Sequence, residues 1–284
     1  MIHNILKNKL SYKDIIVIIP IYKSTPTAEE YASYERCLTI LHKYTIYIVT
    51  HQEVKLQAYT SNASTKIRTL NFDKKFFNSV DAYSELLRNH FFYSSFKKYK
   101  YILIYQLDAW VFKDELLKWC NKGYDYIGAP WFEDYGSYEK GNRLWRVGNG
   151  GLSLRKVKKF MELTHPKKKI KTFREILKEE YNGIKSLPIC VARAFGYRNT
   201  IGFFQNYYNS KKLAEDVYFL IEMQQYENMK LYVPSPVEAC AFAFERSPRY
   251  LYKQNANILP FGCHAWEKYD KAFWLNHIHI QEKS

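Results

Sequence analysis

The sequence predicts an α/β protein with a mainly parallel central sheet, because β-branched apolar runs alternate along the chain with helical patterns. The first run, Asp14 to Tyr22 (DIIVIIPIY), is apolar without interruption, which is typical of a strand buried on both faces. Tyr31 to His42 follows with apolar residues at helical spacing, and Thr45 to Thr50 (TIYIVT) reads as a second strand. Together these segments predict a βαβ unit with a right-handed crossover.

The alternation of strands and helices continues through the next hundred residues. Two further strands are predicted, at Tyr101 to Phe112 and Tyr124 to Ala129. Helices are predicted at Ser79 to Phe92, Asp114 to Cys120, Leu152 to Leu163 and Ile170 to Tyr181, the first of them capped by Ser79. Helices on both faces of such a sheet make a three-layer α/β/α sandwich. With no repeat or linker visible, residues 14–284 are expected to form a single domain after an N-terminal tail, residues 1–13.

The charge balance favours an anionic partner or a heavily solvated surface. Lys and Arg number 43 against 28 Asp and Glu, which leaves a formal charge of +15. Eleven of these cations lie between Arg155 and Lys185, where only four Glu oppose them. Nucleic acid, an acidic lipid surface or a phosphorylated substrate would suit this segment equally, and so would plain solvation of the lysines.

Sequence signals for the cellular setting are few. No apolar stretch reaches the roughly 20 residues that cross a bilayer, and the N-terminal residues lack the pattern of a secretory signal. Five cysteines without a CxxC pair indicate reduced thiols. The expected location is the cytoplasm, with peripheral attachment at the inner face of the membrane if the basic segment binds lipid.

The carboxyl edge of the predicted sheet is the expected ligand site, because open parallel sheets bind ligands beyond the carboxyl ends of their strands. The first two strands direct Pro20 to Lys23 and Thr50 to Gln52 toward this edge. Neither GxGxxG nor GxxxxGK[ST] occurs in the chain. A dinucleotide dehydrogenase or a P-loop ATPase is therefore disfavoured.

Four segments place polar residues or glycines inside apolar surroundings. They are YQLDAW with Asp108, GNGGLSLR from Gly148 to Arg155, AEDVYF with Glu215 and Asp216, and PFGCHAW with His264. Each has a structural explanation by itself: an ion pair or helix cap for Asp108, a tight turn for the glycines, a helix start for the acids, a packed ring for His264. Three glycines within four residues would permit positive φ and close approach of a ligand to the backbone.

Taken together, these four segments resemble nucleotide-sugar glycosyltransferases of the GT-A (Rossmann-like) fold, in which a strand ending in Asp, a glycine-rich loop, an acidic pair and a late loop His occur in the same order. More closely, these segments and DYIGAPW resemble a bacterial glycosyltransferase-like domain family of unassigned specificity, over about Asp14 to Trp274. The resemblance implies a hexosyltransferase-like enzyme of surface polysaccharide biosynthesis. Its donor would be a nucleotide-diphosphate sugar, with a UDP-sugar favoured, and its acceptor a hydroxyl of a saccharide or lipid-linked saccharide.

The resemblance also implies a metal site, with one departure. Asp108 matches the first Asp of the DxD motif that binds a divalent metal in GT-A enzymes, but Trp110 stands where the second would be. The implied cofactor is Mn²⁺ or Mg²⁺ held by Asp108, His264, phosphate oxygens and water. A metal-free site in which Lys or Arg side chains hold the diphosphate is the alternative.

Residue roles carried over by the resemblance fit an inverting transfer. Asp216 matches the general base, and Glu215 would orient it or bind acceptor hydroxyls. Donor contacts are expected from Pro20, Tyr22, Lys23, Gln106 and Asp108, and sugar contacts from Trp131, Asn149, Gly150 and Gly151.

A second hypothesis keeps the fold without the chemistry. The chain would then be a basic protein that binds nucleic acid or glycan on a catalytically degraded GT-A fold. Trp110 supports this alternative. Nucleic acid itself is not expected as a partner, because no RNA-binding motif is visible and acids at the focal positions would repel phosphate.

Overall fold

The computed structural model describes residues 10–61 and 67–280. Its strands are β1 Ile15–Pro20, β2 Thr45–Thr50, β3 Ile67–Asn71, β4 Tyr101–Tyr105, β5 Trp110–Val111, β6 Tyr126–Ile127, β7 Pro130–Phe132, β8 Leu144–Val147, β9 Leu152–Lys156, β10 Ala243–Phe244 and β11 Gly262–Cys263. Its α-helices are α1 Ala28–Ile40, α2 Gln57–Thr60, α3 Val80–Arg88, α4 His90–Ser94, α5 Leu116–Asn121, α6 Val157–Thr164, α7 Phe173–Glu180, α8 Leu187–Ala194, α9 Ile201–Ser210, α10 Glu215–Val217, α11 Pro236–Ala239, α12 Pro248–Gln254 and α13 Lys271–Trp274.

The chain divides into two compact units. The first comprises the described residues within Met1–Lys74, Lys98–Lys156 and Val233–Ser284 and contains every strand. The second comprises Lys75–Lys97 and Val157–Tyr232 and is helical. The prediction of a single domain over residues 14–284 stays a prediction.

A six-stranded sheet in the order β3-β2-β1-β4-β9-β6 organises the first unit. β3, β2, β1 and β4 run parallel, whereas β9 is antiparallel to both β4 and β6. The sequence prediction of an α/β fold with a mainly parallel central sheet is therefore confirmed. β1 and β4 lie at its centre and are buried at every residue, as their uninterrupted apolar sequences predict.

A second apolar cluster forms around two small sheets. β10, β11 and β5 make a three-stranded sheet, and β7 pairs with β8. Trp110, Trp266 and Trp274 are buried in this cluster, and the rings of Trp110 and Trp266 meet edge to face at 6.4 Å. The packing holds the segments after β4, β10 and β11 close to one another.

Three sequence predictions differ from the structure. Leu152 to Leu163 was expected to be one helix, but its first five residues form β9, in register with β4 from Tyr105↔Leu152 to Tyr101↔Lys156. Pairing with the buried centre of the sheet outweighs the helical spacing of the apolar residues. The expected helix from Ser79 to Phe92 is interrupted at Asn89, whose extended backbone and side chain cap α4. The strand that begins at Tyr101 stops at Tyr105, and Trp110–Val111 belongs to another sheet.

The helical unit has its own aromatic core. The ring of Phe160 on α6 contacts Tyr93 on α4 and Phe219 after α10, with centroids 5.0 and 4.9 Å apart. Arg88 at the end of α3 is largely buried and donates to the Leu213 carbonyl.

Two further expectations concern thiols and membrane spans. All five cysteines are buried free thiols, as their spacing predicts. Over the ranges 10–61 and 67–280, no helix combines the length and the hydropathy that a membrane crossing needs.

The central strands predict a clear difference between core and surface substitutions. Ile18→Ala in β1 is expected to lower the free energy of unfolding by about 2–5 kcal/mol, because the fully buried side chain leaves a cavity. Val237→Ala, at a side chain that is 63% exposed in the same unit, is the control and should cost less than about 0.5 kcal/mol. Urea unfolding of both variants measures the difference. Equal losses would contradict the burial of β1.

Candidate functional site

The carboxyl end of β4 is the centre of the candidate site. Gln106 to Ala109 form a tight turn directly after the strand, closed by the Ala109 N–H donating to the Gln106 carbonyl. The Gln106 N–H donates to the carbonyl of Gly151 at 2.9 Å, which joins the turn to the start of β9. Since β1 runs parallel to β4, its last residue, Pro20, ends at the same edge of the sheet.

Asp108 and His264 meet at this edge. The His264 Nε2 lies 3.1 Å from Oδ1 of Asp108 and 3.2 Å from Oε1 of Gln106. On the other side of the ring, Nδ1 lies 3.3 Å from Oε1 of Glu245, which follows β10. Segments far apart in the sequence therefore contribute to one cluster, and both ring nitrogens face carboxylates.

This geometry is that of an imidazolium between two carboxylates. Burial would lower the pKa of His264, but the Asp108 and Glu245 carboxylates outweigh burial and raise that pKa to about 10. Burial also acts to raise the pKa of Asp108, yet the His264 charge and its hydrogen bond lower it overall. The side chain of His264 is 12% exposed and that of Asp108 is 44% exposed. At neutral pH the cluster thus holds an ionised, partly accessible carboxylate.

The glycines of GNGG make room for neighbouring rings. A Cβ at Gly151 would lie 1.9 Å from Nε2 of His264, and one at Gly148 would lie 1.9 Å from the indole of Trp131. The left-handed residue in this loop is Asn149, with φ 66°, and not one of the three glycines. The conformational freedom of the glycines is thus not used for positive φ: Gly148 and Gly151 allow side chains to pack closely on the backbone.

Three of the predicted sugar contacts, Asn149, Gly150 and Gly151, lie on this loop, and the fourth, Trp131, lies on β7. Trp131 is buried over Gly148 and packs on Tyr135, with ring centroids 5.4 Å apart. Asn149 is 3% exposed, and its Oδ1 accepts from the Gly151 N–H, while its Nδ2 has no partner among the described residues. The sugar contacts of Trp131, Asn149, Gly150 and Gly151 stay predictions.

The predicted donor residues on the first strand occupy its carboxyl end. Tyr22 is 58% exposed, and the ammonium of Lys23 lies 5.8 Å from the centre of its ring. Lys23 also pairs with Glu30 of α1 at 2.7 Å. The hydrogen bond to Glu30 raises the pKa of Lys23, more than its partial burial lowers it.

The acidic pair Glu215 and Asp216 begins α10 in the helical unit. Glu215 is buried, and its carboxylate opposes the lowering of the Arg88 pKa that burial causes. Asp216 is half-buried, with its Oδ1 accepting from the Val217 N–H. Asp216 thus belongs to one unit and the Asp108–His264 pair to the other, so a shared site for these three residues stays a prediction.

The predicted metal site depends on the donor atoms that surround Asp108 and His264. Within the described ranges, no group of three or more His, Cys, Asp or Glu side chains could hold a metal ion. Both nitrogens of His264 face carboxylates as N–H donors, which leaves no lone pair for a metal, and Trp110 is buried against Trp266. As arranged, these side chains do not fit a divalent metal, although Asp108 offers one exposed carboxylate.

The sequence did not reveal the place of Glu245 in the cluster or the structural role of Arg155 beside it. Glu245 follows the alternating apolar segment AFAF, and an acid at the end of a strand was the same signal that identified Asp108. Arg155 was counted with the basic surface segment but is completely buried in β9. Its guanidinium donates to Ser153 and reaches the Gly150 carbonyl at 3.5 Å, so it supports the glycine loop.

Residues 66–264 match a family described as "Protein of unknown function (DUF5672)". No curated protein sequence matches the chain. Among solved structures, the chain is similar to galactosyltransferase LgtC in complex with donor and acceptor sugar analogs, at 10% identity over 88% of this chain and 86% of that one (TM-score 0.46). It is also similar to a glycosyltransferase involved in glycosylation of the major capsid of PBCV-1, at 13% identity over 93% and 97% (TM-score 0.41). Core-mannan synthase A from Aspergillus fumigatus, in a Mn/GDP form, matches at 12% over 78% and 70% (TM-score 0.36).

The His264 cluster predicts a definite pH dependence of stability. Because the folded pKa of His264 is raised from 6.5 to about 10, its stabilisation is complete below pH 6.5 and is lost as the pH rises toward 10. Asp108, whose pKa is lowered from 3.8, contributes stabilisation that is lost as the pH falls below that value. The difference in unfolding free energy between wild type and His264→Gln should therefore shrink between pH 6.5 and 10. A constant difference, or a neutral ring at pH 8 by NMR, would contradict the cluster.

The contact of Gly151 with the ring predicts a rescue. Gly151→Ala should destabilise the chain by about 1–3 kcal/mol, because the new methyl group overlaps the ring of His264. Combining it with His264→Ala should cost at least about 0.5 kcal/mol less than the sum of the single variants. Urea unfolding of wild type, the two single variants and the double variant gives the free energies of this double-mutant cycle. Strictly additive losses of unfolding free energy would show that Gly151 is not needed to make room for the ring of His264.

Proposed function

The chain belongs to the DUF5672 family, and we propose that it is a nucleotide-sugar-dependent glycosyltransferase of the GT-A type. The observation that carries the proposal is the meeting of Asp108 and His264, at 3.1 Å, on the carboxyl edge of a parallel sheet. Ligands of open α/β sheets bind at this edge. Four motifs in the order found in GT-A glycosyltransferases support the same function.

The donor half of the site would use cations of this chain. A nucleotide diphosphate brings several negative charges, while the cluster of His264, Asp108 and Glu245 carries one net negative charge when all three are ionised. Lys268 is exposed and close enough for its charge to lower the pKa of Asp108. We assign Lys268 and Lys23 to the diphosphate, with Asp108 and Gln106 binding hydroxyl groups of the donor.

The acceptor half requires a base. We assign Asp216 to accept the proton of the acceptor hydroxyl as its oxygen forms a bond with the anomeric carbon. The bond from that carbon to the diphosphate oxygen breaks, and the nucleotide diphosphate leaves with the electron pair. This assignment gives inversion at the anomeric carbon, onto a saccharide or lipid-linked saccharide. The buried Glu215 would orient the start of α10 through its interaction with Arg88.

The residue roles proposed for the transfer do not depend on Mn²⁺ or Mg²⁺. His264 would have to lose its proton and its carboxylate contacts before it could serve as a ligand. Donor turnover with and without Mn²⁺ measures whether a metal is required.

A second candidate function is binding of glycan or nucleic acid without transfer. The observation that favours it is that Trp110, buried in the apolar cluster, stands where the DxD pattern has its second carboxylate. Salt-sensitive binding to oligonucleotides with no response to nucleotide sugars would select the nucleic-acid version. Glycan binding without donor hydrolysis would select the other.

The donor assignment is tested by nucleotide-induced thermal stabilisation. Nucleoside diphosphates and their sugars are screened against wild type, with and without Mn²⁺, since a ligand of the native state raises the melting temperature. We expect a response that Asp108→Asn weakens by at least about tenfold in apparent Kd, as one charge-assisted contact is lost. Asp134→Asn, at an exposed acid in the same unit, is the control and should leave the response unchanged. A response unaffected by Asp108→Asn would contradict the donor site.

The base assignment is tested by turnover. Asp216→Asn should lower kcat by about 10²–10⁴-fold with nearly unchanged nucleotide affinity, because general base catalysis contributes that much. Glu215→Gln is the comparison: its main expected effect is a lower melting temperature, since it weakens a buried charge interaction. Full turnover by Asp216→Asn with the authentic substrates would exclude it as the base.

A further inference from the structure

The helical unit exposes an unusual concentration of apolar side chains. Ten of the large apolar residues that the described chain exposes lie between residues 173 and 207: Phe173, Tyr181, Ile184, Leu187, Ile189, Val191, Phe195, Tyr197, Phe203 and Tyr207. The most exposed are Ile184 at 80% and Phe195 at 83%. Such a concentration of exposed apolar side chains in one segment of the chain indicates a contact surface, whereas single exposed apolar residues scattered over a surface are normal.

Helix α8 shows the pattern most clearly. Its sequence, LPICVARA, has one charged residue, Arg193, and is otherwise apolar, yet Cys190 is its only buried residue. An apolar helix normally packs into a core or contacts lipid. On α9, Phe203 and Tyr207 are four residues apart and therefore lie on one face, where both are exposed.

The charges in the same region have one sign. No Asp or Glu occurs between Asn182 and Lys212, whereas Lys and Arg are spread through this stretch. The acids Glu162, Glu179 and Glu180 already pair with Lys168, Lys171 and Arg193. Lys169, Lys185 and Arg198 are exposed and make no ion pair within the part of the chain that the structure describes.

Backbone pairing brings the Lys167–Lys169 run to the apolar residues. Lys169 and Thr200 form an antiparallel bridge, and the Ile201 N–H donates to the Lys168 carbonyl at 2.9 Å. The ammonium of Lys169 lies 5.8 Å from the ring centre of Phe195. The basic run and the most exposed aromatic side chain therefore share one surface.

A recess of about 230 Å³ opens beside this surface. Its lining includes Lys171, Arg193, Arg198 and Tyr207, and Arg198 and Tyr207 belong to the exposed surface as well. Lys171 and Arg193 pair with Glu179 and Glu180, so Arg198, beside the ring of Tyr207, is the cation of this lining that an anionic polar group would contact. The recess thus adds a place for a phosphate-bearing headgroup next to side chains that favour hydrocarbon.

We propose that residues 184–207, with the Lys167–Lys169 run, form a docking surface for an anionic lipid bilayer. Exposed apolar side chains would enter the boundary between headgroups and acyl chains, and the unpaired cations would face the acidic headgroups. The charge pattern selects this occupant, because a second copy of the chain would place like charges opposite each other. The docking surface goes beyond the proposed transfer reaction and does not depend on it, since lipid binding is measured without donor or acceptor.

The experiment is co-sedimentation of the full chain with vesicles. One set is phosphatidylcholine alone, and the other contains about 30% phosphatidylglycerol to give the surface a negative potential. The apolar variant is Ile184→Ser/Phe195→Ser, and its matched control is Val80→Ser, at an equally exposed residue of the same unit. The charge variant is Lys169→Gln/Lys185→Gln, with Lys158→Gln as its control. The substituted side chains are exposed, so the melting temperatures should stay close to wild type.

The expected result is binding of wild type to the anionic vesicles and little to phosphatidylcholine. The apolar variant should bind at least about tenfold more weakly, because two side chains no longer enter the bilayer. Each lysine replaced in the charge variant should lower the affinity for anionic vesicles about fivefold at low salt. Both controls should bind as wild type.

Three results would overturn the proposal. The first is no binding of wild type to anionic vesicles. The second is equal loss in the variants and their controls. The third is a dimer or an oligonucleotide complex that the apolar variant abolishes while vesicle binding persists unchanged, which would assign the surface to another partner. If the wild-type chain binds anionic vesicles but transfers no sugar, the result counts against the proposed function and leaves the docking surface intact.

Discussion

The imidazolium of His264, held between two carboxylates, is the interaction on which the candidate site depends. A buried charge of this kind is costly unless opposite charges contact it directly. Asp108 and Glu245 supply those contacts from the ends of β4 and β10, and His264 itself follows β11. The requirement for both contacts fixes the ends of three strands at one edge of the first unit. Gly151 belongs to the same constraint, since any side chain there would occupy the space of the ring.

This arrangement has a chemical consequence for Asp108. The positive ring keeps the carboxylate ionised, while almost half of its side chain stays accessible to a ligand. The same pairing occupies both nitrogens of His264, so the ring positions the Asp108 carboxylate and has no lone pair left for a metal. A hydroxyl or an ammonium group is therefore the more suitable partner for Asp108 than a fully coordinated divalent cation. The burial of Trp110 points in the same direction, because this residue stabilises the core where a second ligand would otherwise stand.

The helical unit has a different physical character. Three of its acids, Glu162, Glu179 and Glu180, form ion pairs within the unit, whereas Lys169, which forms no ion pair among the described residues, stands beside the exposed ring of Phe195. A formal charge of +15 thus has at least two components. Some basic side chains, such as Arg155, are buried and stabilise loops, whereas others form a surface with a consistent sign. Only the second group can attract an anionic partner.

The sequence by itself determined the parallel sheet, because strands such as β1 and β4 are buried on both faces and leave an uninterrupted apolar signature. It also singled out Asp108 and His264, because polar residues inside apolar runs are costly unless they are paired, and the fold pairs these two with each other. The contacts of Glu245 and the strand identity of β9 were decided only by tertiary structure. Both depend on partners distant in the chain: pairing with β4 turns an apparently helical segment into a strand, and a carboxylate becomes part of the site only when the fold carries it to the other side of a ring.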